Sequence, residues 1–287
     1  KNEGSLVSIL SGASSKASTG RMEVGSAPSN NGNTGTAILF SGKSASKTSG
    51  SVIVESGNSS KIVGNVIVKP GTSGGDAGKL LLTGGESSGK VGGDVEVKGG
   101  KAAGSGGEII LEGGQGGSKE SGKILLKTFY TDSQNSGSIE IQSGTSNTGT
   151  TGAVYLSTGV VIDDTSGEIK LKSGNSLLGS TGNIKVAVGN GGGDGGAVSI
   201  NGGNSIADGQ AGEVSLTSGS SMAGKAGDIS LNAAFGSIIG GSIYLQGGES
   251  AFDGGSLAFK SGKARSLLHE SGKIDLSTSE SEGISGG

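Results

Sequence analysis

The sequence predicts an all-β chain, an elongated parallel β-solenoid of coils about fifteen residues long. Three observations carry that expectation. A pattern of glycine, any residue, apolar, any, apolar recurs nineteen times at intervals of fourteen to seventeen residues. The two apolar positions lie two residues apart, the period of an extended segment with one apolar side. Glycine recurs too often for helices, each copy costing a helix interior about 1 kcal/mol.

The repeats begin at Ser5, Gly20, Gly35, Gly50, Gly64, Gly78, Gly93, Gly107, Gly122, Gly137, Gly152, Gly167, Gly182, Gly196, Gly212, Gly227, Gly241, Gly255 and Gly272. A fixed period of this length is the signature of a stacked array, in which each copy leans on its neighbours. Residues 1–287 therefore read as a single continuous array of about 19 coils. Fifteen residues beyond Gly272 lies Gly287, where another copy would begin, so the array is expected to be a segment of a longer chain.

Each repeat opens with the strand-like piece, as in Gly50-Ser51-Val52-Ile53-Val54-Glu55-Ser56-Gly57. Eight or nine small polar residues follow, longer than the 2 to 5 residues of ordinary hairpin loops. A return path that brings the next strand back beside the last is the simplest expectation. Two residues after the closing glycine a small residue recurs, including Ser14, Ser29, Ser44, Ser59, Ser73, Ser87, Ser146, Ser176 and Ser221. It is expected to face inward and hydrogen-bond from coil to coil, opposite a thin Val/Ile core. Glycines beside it would supply corners of positive φ or close backbone approach. Departures such as Phe129-Tyr130, Val160-Val161-Ile162, Leu177-Leu178, Ala234-Phe235 and Leu267-Leu268-His269 fall on the return side, where length can vary.

Composition narrows the function classes. With 63 glycines among 287 residues, 3% aromatic residues and no tryptophan, no thick core can form. Such compositions ordinarily mark flexible chains, but a disordered linker has no reason to keep two apolar positions filled in every copy. The net charge of −3, with both signs interspersed, gives no polyanion-binding face, and no nucleic acid partner is expected. Cysteine is absent, which removes disulfides and zinc thiolates. No apolar run approaches the roughly 20 residues of a membrane span, and Lys1 opens what reads as a mature or partial segment.

The local motifs do not assemble into a reaction centre. Gly191, Gly193 and Gly196 satisfy a dinucleotide-binding spacing, but no helix follows to receive a phosphate. Gly42-Lys43-Ser44 resembles the end of a phosphate-binding loop, yet Ala37 stands where that loop needs glycine. Asp194 and the pair Asp163-Asp164 lack the acidic residue in every turn that a calcium-binding β-roll requires. His269 is the sole histidine, without carboxylates in regular spacing. Tyr130, Tyr155 and Tyr244 are too far apart along the chain to form a sugar platform. No catalytic, cofactor-binding or metal-binding residue is expected, and the chain is not read as an enzyme.

Two surface features remain. The central residue of the extended piece should point outward, and through one block it is apolar: Ile38, Ile53, Ile67, Leu81, Ile110 and Leu125, interrupted by Glu96. Two readings are open: an assembly interface with another chain, or simple β-propensity on an exposed strand. Asn58-Ser59-Ser60 is the only Asn-x-Ser/Thr sequence and makes Asn58 a candidate glycosylation site.

Arrays of Ser-Gly-x-Ser, a polar loop and Gly-x-Val-x-Ile-x-Ser-Gly, as in Ser143-Gly144-Thr145-Ser146 leading to Gly152-Ala153-Val154-Tyr155-Leu156, resemble the Gly/Ser-rich repeat proteins of algal and protist cell surfaces, including mastigoneme-like fibres. The resemblance runs through the whole chain. It implies a structural protein forming the shaft of an extracellular filament or cell-surface appendage, self-associating or joining another filament subunit, with glycans as a further partner. An adhesive stalk or a carbohydrate- or ice-binding solenoid is the alternative. Ice binding asks for a flat threonine array, whereas the outward positions mix Lys79, Asp94, Glu108, Lys123, Glu168 and Asn183.

Overall fold

The structure, a computed structural model, describes residues 5–132, 134–265 and 268–279. The chain divides into two units, Lys1–Gln142 and Ser143–Gly287. Gly287, where the array would continue, and Leu267 of the return-side insertion lie outside the described residues.

The expected parallel β-solenoid is not formed. Among the described residues there is no helix and no strand. None of them is buried, so the thin Val/Ile core is also absent. The physical reason lies in where the backbone donors go. Instead of pairing with the preceding repeat, the amides of several leading glycines bond to a carbonyl only seven to ten residues back, across the neck of their own return segment. Contacts between residues a full repeat apart are correspondingly sparse. Two apolar side chains in fifteen residues bury too little surface to hold consecutive repeats together without a ladder of backbone bonds.

What persists from the sequence pattern is local. In the apolar pieces, side chains two residues apart meet along one side, as an extended backbone requires. Lys98 pairs with Glu96 at 2.5 Å and Lys170 with Glu168 at 2.9 Å, and Arg21 pairs with Glu23. Asn201 donates to Ser199 Oγ at 2.9 Å and Asn232 to Ser230 Oγ at 2.7 Å by the same spacing. The first apolar position is the more sheltered: Val52 is 48% exposed, against 75% for Ile53 and 67% for Val54.

In the first unit the polar segments bend at 15–17, 30–32, 45–47, 60–61, 74–76, 88–90, 103–105 and 117–119. Their necks close by backbone bonds from Gly20 to Gly12 (3.4 Å), Gly93 to Gly85 (2.8 Å), Gly107 to Gly100 (2.9 Å) and Gly122 to Gly114 (2.8 Å), the donor named first. In the second unit bends fall at 147–149, 162–164, 177–179, 192–194, 206–209, 222–224, 237–239 and 251–253. There the neck bonds run from Gly212 to Gly203, Gly227 to Gly219, Gly241 to Ala234, Gly255 to Gly248 and Gly272 to Gly262, all between 2.8 and 3.0 Å. Segments whose ends meet in this way are compact loops of the Ω type, with the extended pieces as spacers between them.

Candidate functional site

Most of the loops carry a small residue two positions after the closing residue. The expectation that its hydroxyl faces inward and bonds between coils is corrected: the serine caps its own bend. Ser14 Oγ accepts the amide of Ala17 at 2.9 Å, Ser29 that of Gly32 at 3.0 Å, and Ser44 that of Lys47 at 3.1 Å. Ser146, Ser176 and Ser221 do the same for Gly149, Gly179 and Gly224. A short hydroxyl side chain offers its nearby backbone a partner at no cost in long-range order, so the local bond wins over a stacked one.

Where serine is missing, glycine provides a second solution. Gly116 and Gly236 occupy the same position, and a Cβ there would collide with the carbonyl oxygen three residues on, at Lys119 and Ile239. Thr131 instead donates from Oγ1 to the Gln134 carbonyl. Beside it, Phe129 and Tyr130, which replace the usual closing glycine, hold their rings 4.9 Å apart.

The residue just before the closing position sets the neck. At Gly84, Gly99 and Gly113, and again at Gly202 and Gly247, a Cβ would fall on the carbonyl group of the next leading glycine, respectively Gly93, Gly107, Gly122, Gly212 and Gly255. All five of these necks carry the backbone bond. The doublets thus serve close backbone approach, at positions other than the corners beside the small residue where glycine was expected to act. The positive-φ corners expected beside the small residue are not formed, since no described residue has positive φ. Sequence reasoning passed over these residues; the available signal was Gly-Gly standing where seven of the repeats have Ser-Gly.

The six candidate interface residues are all exposed, from 61% at Leu125 to 75% at Ile53. Their outward placement does not single them out, because the apolar positions expected inside are exposed too. Ile38 joins a groove, an open apolar space of about 430 Å³ lined by Met22, Val24, Ala37, Ile38 and Leu39. That groove lies between the apolar pieces of two successive repeats. Asn58 is exposed at the start of the loop bending at 60–61.

Among the described residues no group of three or more His, Asp or Glu side chains could hold a metal ion, and no helix is long and apolar enough to cross a membrane. His269 is exposed. One carboxylate is perturbed. The Thr165 backbone amide, 2.7 Å from Asp164 Oδ1, and the Thr165 hydroxyl at 3.1 Å favour the ionised form and hold Asp164 below the usual carboxylate range. This is a loop cap rather than a reactive acid. Comparison with protein-family models, with curated proteins and with solved structures gave no match.

Proposed function

We propose that the chain is a structural protein, the self-associating shaft of an extracellular filament or cell-surface appendage, with no catalytic role. The observation that carries this reading is that every repeat presents apolar side chains that the single chain leaves uncovered, from Val7 and Ile9 to Ile274 and Leu276. Exposed apolar surface repeated through a whole chain is resolved by association, and a second copy with the same spacing offers matching side chains throughout. The block from Ile38 to Leu125 adds a third apolar residue to each of its repeats except the one holding Glu96, and is assigned here as the contact region. The outer location rests on the resemblance of the Ser-Gly-x-Ser and Gly-x-Val-x-Ile units to cell-surface fibre repeats.

The test is sedimentation and negative-stain microscopy of the full chain beside the triple variant Ile53→Lys, Ile67→Lys, Leu81→Lys. Concentration-dependent fibres in the parent and none in the variant are expected. Because these side chains already face solvent, the substitutions should leave the monomer's spectrum unchanged. A parent that stays monomeric at high concentration overturns the filament reading. Fibres that persist unchanged in the variant overturn the assignment of the contact region.

A further inference from the structure

Of the polar segments, the one following Gly57 combines an acceptor sequence with the freedom to be modified. Asn58-Ser59-Ser60 meets the requirement for amide glycosylation, an asparagine with a hydroxyl residue two positions on and no proline between. The two serines behave differently. Ser59 Oγ is engaged locally, accepting the Lys61 amide at 3.1 Å. Asn58 and Ser60 make no hydrogen bond and are both exposed, so the amide and the hydroxyl that the pattern requires are accessible together.

The neck of this loop is also open. No backbone bond joins Gly64 to Gly57, and a Cβ on either glycine would meet nothing within 4 Å. Loops such as 85–93 are by contrast clasped by a 2.8 Å bond. An unclasped loop can enter a modifying enzyme's cleft without first breaking its own closure.

We propose that Asn58 is an N-glycosylation site, which goes beyond the structural role above while resting on its extracellular placement. The donor is an oligosaccharide carried on a lipid diphosphate. Asn58 Nδ2 forms a bond to the anomeric carbon of the sugar, the bond from that carbon to the diphosphate oxygen breaks, the lipid diphosphate leaves, and one Nδ2 proton passes to the enzyme's base. The glycan then stands between the pieces that carry Ile53 and Ile67, marking the loop side of the chain with a hydrophilic group.

The test is intact-mass measurement of the full chain expressed through the secretory route of eukaryotic cells, taken from both the medium and the membrane fraction. One glycan is expected, removed by an amidase that leaves aspartate at position 58. Asn58→Gln and Ser60→Ala should each abolish it, whereas Ser59→Ala, which removes only the bend cap, should retain it. Bare protein in both fractions, or a glycan that survives in Asn58→Gln, overturns the proposal. Fibres formed by bare protein would sink the glycan site alone, and a glycosylated chain that never assembles would sink the filament reading alone.

Discussion

Residues 78–122 and residues 35–78 contain the same repeat, yet only the first stretch clasps its loops. In 78–122 the amides of Gly93, Gly107 and Gly122 reach carbonyls across the neck at 2.8 to 2.9 Å. In 35–78 neither Gly50, Gly64 nor Gly78 makes such a bond. Both stretches have the apolar pair, and both bend in the middle of the polar segment. They differ consistently at the position before the closing glycine, occupied by Gly84, Gly99 and Gly113 in the clasped stretch and by Ser41, Ser56 and Pro70 in the open one. At Gly84, Gly99 and Gly113 a Cβ would overlap the facing carbonyl, so these three necks close in a geometry that admits only glycine. Serine does not forbid the bond, since the necks at Ser218 and Ser261 also close at 2.9 Å. In those necks a Cβ on the leading glycine would stand 3.5 to 3.7 Å from the serine Cβ, an ordinary van der Waals approach.

The strongest way to break this contrast is to add the missing Cβ atoms. The triple variant Gly84→Ala, Gly99→Ala, Gly113→Ala should open all three clasps, because each methyl group would coincide with the carbonyl of the next leading glycine. Each lost bond is worth about 1 kcal/mol, so hydrogen exchange at Gly93, Gly107 and Gly122 should quicken roughly 5-fold. Gly50 and Gly64, already unbonded, serve as the internal reference. Unchanged protection at the three clasp amides would show that the glycine doublets do not hold the necks.

The converse substitution has a smaller effect. Ser56→Gly removes the Cβ from an open neck and allows Gly64 to reach the Gly57 carbonyl. The gain of a bond is offset by the added backbone freedom of glycine, about 0.5–1 kcal/mol. A modest slowing of exchange at Gly64, less than the change in the alanine triple, is the expected outcome. No slowing would mean that the neck needs more than room to close.

The difference between these stretches also marks the limit of what the residues disclose by themselves. Repeat boundaries, the two-residue alternation and the place of each bend are set by neighbours in sequence, and the Gly-x-Val-x-Ile spacing exposes them directly. Pairing between repeats is a non-local event whose entropy cost the pattern does not reveal, and the solenoid inferred from it is absent. The serines stand out in the sequence as a regular feature, but the partner of their hydroxyls does not. Periodicity identifies Ser44 as recurring, and only geometry shows its hydroxyl turned to Lys47. At the candidate interface, alternation predicts cover over Val54 and Val68 but not over Ile53 and Ile67, whereas all four are exposed, because without a core the alternation has no inward side.

Bend caps give a third, weaker handle on the same loops. Ser44→Ala removes the acceptor of the Lys47 amide, an exposed bond 3.1 Å long for which water readily substitutes. The loss should be at the low end of hydrogen-bond contributions, about 0.5 kcal/mol. It would be seen as faster exchange at Lys47 in a loop whose neck is open. The same change at Ser87, which caps Lys90 at 3.2 Å within a clasped loop, should matter less, since the 2.8 Å bond from Gly93 to Gly85 still holds the ends. Equal effects at both sites would mean that neck and bend are not coupled.

The smallest effect expected is a pH response confined to one loop. In segment 159–167 the usual serine position is held by Val161, and the bend at 162–164 ends on Asp164, which caps Thr165 through both its amide and its hydroxyl. Those bonds favour the ionised carboxylate, so Asp164 titrates below its ordinary value in the folded loop. The sign follows from linkage: a lowered folded-state pKa contributes stability above the ordinary carboxylate pKa of about 3.9 and loses it as pH falls through the folded value. Acidification should therefore shift the Thr165 amide resonance and speed its exchange at still lower pH than free aspartate would require. The Gly149 amide, capped by the uncharged hydroxyl of Ser146, should show no matching transition. Asp164→Asn should abolish the Thr165 titration. If Thr165 followed the ordinary aspartate midpoint, or if Gly149 moved with it, the acidic cap would not be what distinguishes this loop from the serine-capped ones.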